Sequence, residues 1–512
     1  MSDWTDGYVA DIDTTFGYYS ELNPQRLRLA FLNTGLRFPE IGTACELGFG
    51  QGMNVNLHAA ASVMQWFGTD VNPAHTQFAQ TLAEVSGTNA QLFEQAFAEF
   101  CSREDLPDFD YIGLHGVWSW ISDENRAVIV DFLRRKLKVG GIFYVNYHTQ
   151  AGWAAMMPIC DLLVEHADIM GSRGQSSVAR FDAALGFAEQ LLATQPNHAQ
   201  ANPRIADSLA TLKIENNRYL AYEYFNRNWQ PLSFSQTSQL LSAAKLTFAC
   251  SAYYLDQIDS LNLTDAQQDL LDGIPDAQLR ETVQDLCTNQ PFRRDYWVKG
   301  AVRLNELEQT EALYAERVVL VQDRADVSFK VTGALGESLL HDAIYNPILD
   351  ALSDYQPKTL EQIEQVVAAL GINLDQVIQA VMVLIGAGVL CPAQDDAVIV
   401  EAKKQTDKLN LYLCHKARGS SELSTLASPV TGGGIAVSRF LQLFLLAKAQ
   451  GYTQPEQWAQ FVWSLLAMQN QCVIKDGVAL QSEQENLAEL MMQAHAFANK
   501  QLPIFMALGL CF

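Results

Sequence analysis

The chain predicts an α/β fold of the Rossmann-like kind, followed by a winged-helix-like unit and a mainly helical C-terminal part. Three observations carry this. Residues 43–52, TACELGFGQG, lead from a short apolar run through alternating glycines into a stretch with helical composition. The next apolar run, 63–69, ends at Asp70, twenty-two residues past Gly48. Apolar runs and helix-like stretches then alternate to about residue 300, the rhythm of an open sheet covered by helices.

The elements follow in order. Residues 1–40 form an N-terminal cap whose aromatic lead (Tyr8, Phe16, Tyr18, Tyr19) is rich for a loose tail; packing on the sheet and a lid over a ligand are both open. Asn23-Pro24 opens a helix over 25–32 by N-cap and first-turn proline logic. Residues 43–47 read as a buried strand, Gly48, Gly50 and Gly52 as a turn, and 54–64 as a helix. Such a junction aims backbone N–H groups and a positive helix end at a ligand. A dinucleotide site wants G-x-G-x-x-G. Here the spacing is G-x-G-x-G, and Glu46 stands two residues before the first glycine, which repels a pyrophosphate and suits a cationic amine. Asp70, at the tip of the second strand, is placed to accept ribose hydroxyls. A helix over 73–85, a strand over 90–93 and a strand over 109–114 come next. The last runs into His115-Gly116 and two tryptophans, Trp118 and Trp120. The helix at 125–137 ends in Arg134, Arg135, Lys136 and Lys138, charges that complement its dipole. The strand at 142–147 opens into His148 and Trp153.

Glu46, Gly48, Gly50, Gly52 and Asp70 resemble the first two motifs of class I S-adenosylmethionine-dependent methyltransferases. ACELGFGQGMNVNLHAA, FGTDVNPAH, FDYIGLHGVWSWISDENR and GGIFYVNYHTQAGW resemble, in order, bacterial methyltransferases that carry a methyltransferase regulatory domain. Some members of that family are protein lysine methyltransferases acting on rickettsial outer-membrane protein. The resemblance covers nearly the whole chain. It implies S-adenosyl-L-methionine as cofactor, a seven-stranded sheet with two late strands, and inserted elements over the active site. The cofactor-binding set it suggests is Glu46, Gly48, Gly50, Gly52 and Asp70, joined by Tyr18 from the cap and His115 after the fourth strand. Where related enzymes place an acid after the third strand to meet the adenine, this chain has Glu94-Gln95, leaving Gln95 or the backbone for that contact.

The methyltransferase domain is expected over 41–306, with a helical insertion at 154–215, a helix at 235–244 and late strands at 246–254 and 296–302. A winged-helix-like regulatory domain is expected over 313–395, with strands at 316–321 and 327–331 and helices at 336–352, 360–370 and 374–387. Over 396–512 we expect a strand at 397–400, a glycine turn in ASPVTGGG (427–434) and helices at 437–448, 456–468 and 483–499. ASPVTGGG resembles a signature of the family, readable as a turn or an anion-binding helix start.

Methyl transfer from a sulfonium is an in-line displacement, and a lysine nucleophile must arrive neutral although its free pKa is near 10.4. Aromatic walls exclude water and hold a cation by its charge. Trp118, Tyr147, His148 and Trp153 at adjacent strand ends are the candidate walls. Tyr222 and Glu223 from LAYEYF are candidates for the far wall and an acidic anchor. Related enzymes show His-Glu-Tyr where this chain has Tyr222-Glu223-Tyr224, so a base would have to be His148 or Tyr147.

A net charge of −24 disfavours a nucleic-acid partner and suits a lysine-bearing protein. Nine scattered cysteines without a C-x-x-C pair suggest no metal site. No apolar run reaches transmembrane length, and the polar start is unlike a signal peptide, so cytoplasm is the expected location. A homodimer through the regulatory or C-terminal domain is a further expectation. A small-molecule or nucleic-acid-base methyltransferase and a non-catalytic cofactor-binding scaffold are the alternatives.

Overall fold

The computed structural model describes residues 15–172, 174–214, 226 and 228–512. Its centre is a seven-stranded sheet built from Thr43–Leu47 (β1), Gln65–Asp70 (β2), Gln91–Glu94 (β3), Phe109–Leu114 (β4), Leu137–His148 (β5), Leu246–Ser251 (β6) and Phe292–Lys299 (β7). The strand order is β3-β2-β1-β4-β5-β7-β6. β1 to β5 run parallel, and β7 is antiparallel to both β5 and β6. The chain leaves β1 toward one sheet edge and returns to its other side at β4. The carboxyl ends of β1 and β4 therefore flank the switch point where such sheets hold ligands.

Local chemistry sets the flanking helices. Asn23 accepts the N–H of Gln25 to start Pro24–Asn33 (α1). Asn72 accepts the N–H groups of Ala74 and His75 to start Pro73–Ser86 (α3), which Gly87 closes in the left-handed region. Between them Met53–Ala61 (α2) is buried at every residue, as befits a helix covered on all sides. The sheet and α3 cover part of it. The long helix Asp396–Lys416 and the hairpin Thr425–Ser428/Gly433–Ala436 cover the rest, in one apolar cluster that includes Met53, Leu57, Leu409, Leu426 and Leu443. Gln394 fastens this contact by donating Nε2 to the carbonyls of Ala61 and Pro429. Gly52, at φ +73°, begins α2 where a Cβ would lie 2.4 Å from that of Ala79 in α3.

The region expected over 313–395 shares its core with the sheet: one cluster joins Leu27 and Phe31 of α1, Tyr144 and Tyr296 of the sheet, and Val318, Ile348, Ile363 and Val381. It contains a three-stranded sheet in which Arg317–Leu320 lies between Lys358–Thr359 and Leu390–Pro392. The expected winged-helix unit is modified. After Leu390–Pro392 the chain enters the helix Asp396–Lys416 instead of a returning wing strand. The strand expected at 397–400 is the first turn of that helix, with Val400 exposed on its surface; a run of four apolar residues fits a strand or a helix equally. The helix expected over 336–352 is shortened to Asp342–Ala351, because Lys330–Gly333 and Gly336–Leu339 pair as a hairpin. Gly336 at φ +108° makes that turn. The late strands end at Ser251 and Lys299, earlier than 254 and 302.

The insertion folds as helices Met157–Met170, Ser177–Ala193, Asn197–Ala201 and Ile205–Ile214. Leu163, Phe181, Leu185 and Ile205 form its own small core, and Trp153 and Trp229 pack against it.

Candidate functional site

The glycine turn, Asp70, His115 and His148 all stand at one edge of the sheet, the carboxyl ends of β1, β2, β4 and β5. Gly48, Gly50 and Gly52 have φ of +68°, +56° and +73°. The N–H of Gly48 donates to the Thr69 carbonyl at 2.8 Å. That of Gly50 donates to Asp70 Oδ2 at 2.9 Å. The other oxygen of Asp70 accepts the Asn72 N–H at 2.9 Å and His75 Nδ1 at 3.3 Å. Glu46 is 2% exposed, and its Oε2 has no hydrogen-bond partner. Burial, reinforced by the nearby charge of Asp70, pushes its carboxyl up to about 8.

Next to this turn, aromatic rings fill the crevice. Tyr19 stacks on His115 with centroids 3.8 Å apart, and its N–H donates to Asn54 Oδ1 of α2. His115 Nδ1 lies 2.9 Å from the Tyr144 hydroxyl. Asn146 accepts the Gly116 N–H and sets its amide nitrogen 3.0 Å from His115 Nδ1. Burial, helped by Arg294, lowers the His115 pKa to about 3, so the ring is neutral. Tyr18 faces the other way. Its hydroxyl is 3.3 Å from His58 Nε2 of α2, and its ring lies against Gly433 and Gly434 of the C-terminal hairpin. The glycines of ASPVTGGG therefore make a close approach to the cap, in a β-hairpin.

Side chains alternate along β5, and this divides the expected acceptor walls. Tyr147 and Trp118 lie on the opposite face from His148, in the core with Phe143 and Trp297, and both are 0% exposed. The Tyr147 hydroxyl donates to Asp295 Oδ2 at 2.7 Å. Trp118 and Tyr147 are thus core residues, a correction to their reading as channel walls. His148 and Trp153 do come together, with ring centroids 4.5 Å apart. Trp120, Trp229 and Phe292 complete the enclosure at 4.9, 5.8 and 5.3 Å from His148. Trp229 Nε1 donates to His148 Nδ1 at 2.9 Å. Burial lowers the His148 pKa to about 3, so the neutral ring carries its proton on Nε2 and its lone pair is already engaged. Neither His148 nor Tyr147 is set up to accept a proton. Tyr222, Glu223 and Tyr224 lie outside the described residues.

Gln95 follows β3, donating its N–H to the Asp70 carbonyl and accepting the Thr69 hydroxyl on its own carbonyl. Tyr19 comes from the aromatic lead that the sequence offers as a lid, whereas Asn146, His75, Trp229 and Phe292 stand outside the set the sequence predicts. Asn146 had a signal, since residues two apart on a strand share a face with His148. Among the described residues no group of three or more His, Cys, Asp or Glu side chains is placed to hold a metal ion, and no single helix is long and apolar enough to cross a membrane.

A seven-stranded sheet in this order, with a glycine turn after β1 and an acid after β2, defines a Rossmann-like methyltransferase fold. The structure of PKMT2 from Rickettsia typhi in complex with AdoHcy shares it at TM-score 0.71 and 19% identity, covering 96% of this chain and 99% of that one. Another PKMT2 structure gives TM-score 0.69 and 18% identity over 95% and 98% of the two chains. Residues 216–299 match the family described as a predicted methyltransferase regulatory domain. The protein sll1526 of Synechocystis is 38% identical over 512 residues, 99% of each chain. The chain belongs to one family with that protein. Rickettsia prowazekii RP028 is 30% identical over 29% of this chain and 61% of its own length.

Proposed function

We propose that the chain is an S-adenosylmethionine-dependent methyltransferase whose acceptor is a lysine side chain of a protein. The observation that carries the reading is the carboxylate of Asp70 bound to the Gly50 N–H at the switch point, beside the unpartnered oxygen of Glu46. These groups fit the cofactor. Asp70 would accept ribose hydroxyls, the glycine turn admits a close-lying nucleoside, and the Glu46 oxygen has a vacancy for an ammonium, whose charge would favour loss of the Glu46 proton. The PKMT2 structure with AdoHcy has the same fold. Bound here, S-adenosylmethionine would supply an electrophilic methyl carbon on a sulfonium.

The chain's own residues would then orient and desolvate the acceptor. Tyr19, His115 and Tyr144 form a neutral aromatic stack beside the glycine turn. The ring enclosure of Trp120, Trp153, Trp229 and Phe292 gives apolar aromatic faces suited to an alkyl stem and to excluding water. Glu223 remains the candidate acidic anchor. Because the described His148 has no lone pair to offer, the amine would lose its proton before it is enclosed, along a route to solvent. The net charge of −24 favours encounter with a basic segment.

Purified protein incubated with methyl-labelled S-adenosylmethionine and cell-extract proteins is expected to place label on lysine Nζ, located by mass spectrometry. Label confined to small molecules would remove the lysine assignment. Absence of calorimetric binding of S-adenosylmethionine would remove the methyltransferase reading itself.

A further inference from the structure

We propose that His75 is a positioning residue for the cofactor ribose, acting through Asp70. The inference rests on the cofactor reading above. His75 lies in the first turn of α3, its side chain 6% exposed, with Nδ1 3.3 Å from Asp70 Oδ1. Its other ring nitrogen lies 3.4 Å from the amide nitrogen of Asn72. An amide NH2 only donates, so Nε2 accepts and the neutral ring carries its proton on Nδ1. That tautomer donates to Asp70. Asn72 is itself fixed, since its side-chain oxygen caps α3 by accepting the Ala74 N–H at 2.9 Å and the His75 N–H at 3.4 Å.

The result is a directed chain from the cap of α3 through Asn72 and His75 to the carboxylate. With Gly50 and Asn72 N–H groups also bound, three protein donors hold Asp70. Carboxylate rotation about its last bond is broad when nothing fixes it. A pair of adjacent hydroxyls demands one orientation, so pinning the carboxylate in advance lowers the ordering cost of binding. His75 touches no cofactor atom in this scheme. Its contribution is to be read only in ligands that possess the hydroxyls.

The test is a cycle of two ligands and three proteins by isothermal calorimetry. The ligands are S-adenosylhomocysteine and its analogue lacking both ribose hydroxyls. The proteins are the wild type, His75→Leu, which removes the donor, and His75→Asn, which keeps one near Nδ1. His75→Leu is expected to weaken S-adenosylhomocysteine about tenfold and leave the analogue unchanged, within the range of coupling between contacting groups. His75→Asn is expected to recover most of the loss. Unchanged analogue binding also shows that the variant is folded. Equal weakening of both ligands in His75→Leu, or no weakening of either, overturns the inference, as does failure of His75→Asn to recover if His75→Leu does not fold. Wild-type protein that binds neither ligand would instead overturn the cofactor reading.

Discussion

Glu46 and Asp70 are two carboxyl groups at neighbouring strand ends with opposite surroundings. Asp70 receives three donors, whereas Glu46 has one oxygen with none and a pKa pushed to about 8. The free protein near neutral pH thus keeps Glu46 mostly protonated. Since its folded value exceeds the ordinary 4.5, the folded state holds the extra proton between these values. That contribution to stability is complete below about 4.5 and is lost as pH rises through about 8. The ligand-free wild type should therefore melt at lower temperature at pH 8.5 than at pH 5.5 relative to Glu46→Gln, whose amide cannot ionise. Differential scanning calorimetry of both proteins checks this; parallel pH profiles would refute it. The glycine turn, Glu46 and Asp70 were legible in the sequence because one short stretch and one strand end specify them. Tyr147 and His148 misled for the converse reason: adjacent residues on a strand point to opposite faces, so proximity in the chain separated them in space. His75 was hidden because its partner is five residues away across a turn.

Among the elements, the hairpin of Gly433 shows a sequence feature whose reason lies elsewhere in the chain. A Cβ on Gly433 would sit 2.3 Å from the Tyr18 hydroxyl and 2.6 Å from Asn23 Nδ2. Asn23 both caps α1 and donates to the Thr431 carbonyl, so neither neighbour yields without loss. Gly433→Ala should destabilise by roughly 1–3 kcal/mol, the usual cost of overpacking. Gly186, inside the helix Ser177–Ala193 with open space around its Cβ, should gain about 0.5–1 kcal/mol as Ala. Urea unfolding of the two variants checks both signs. The run of glycines could be read locally as a turn, but its cause is a contact with residues some four hundred positions earlier. The five parallel strands were legible because buried runs are apolar and short. The first turn of the helix Asp396–Lys416 reads as a strand because four apolar residues fit either element, and the burial that marks this helix begins only at Ala402.

For the molecule as a whole, Phe16 and Tyr18, the helix α2 and the C-terminal part form one packed body. Met53 and Leu57 lie in the same cluster as Leu409, Leu426 and Leu443. Burial of each such side chain is worth about 1.5–3 kcal/mol, and a protein's whole margin is about 5–15 kcal/mol. A chain ending at residue 395 should therefore lose cooperative unfolding by circular dichroism and bind a dye for exposed apolar surface. A sharp melt with retained cofactor affinity would contradict this. The same burial has a consequence for synthesis. α2 leaves the ribosome roughly 380 residues before the hairpin Gly433–Ala436 that covers it. At about 5–20 residues per second, its apolar face waits roughly 20–75 s for its cover. During translation that stretch is one that a holding chaperone would protect.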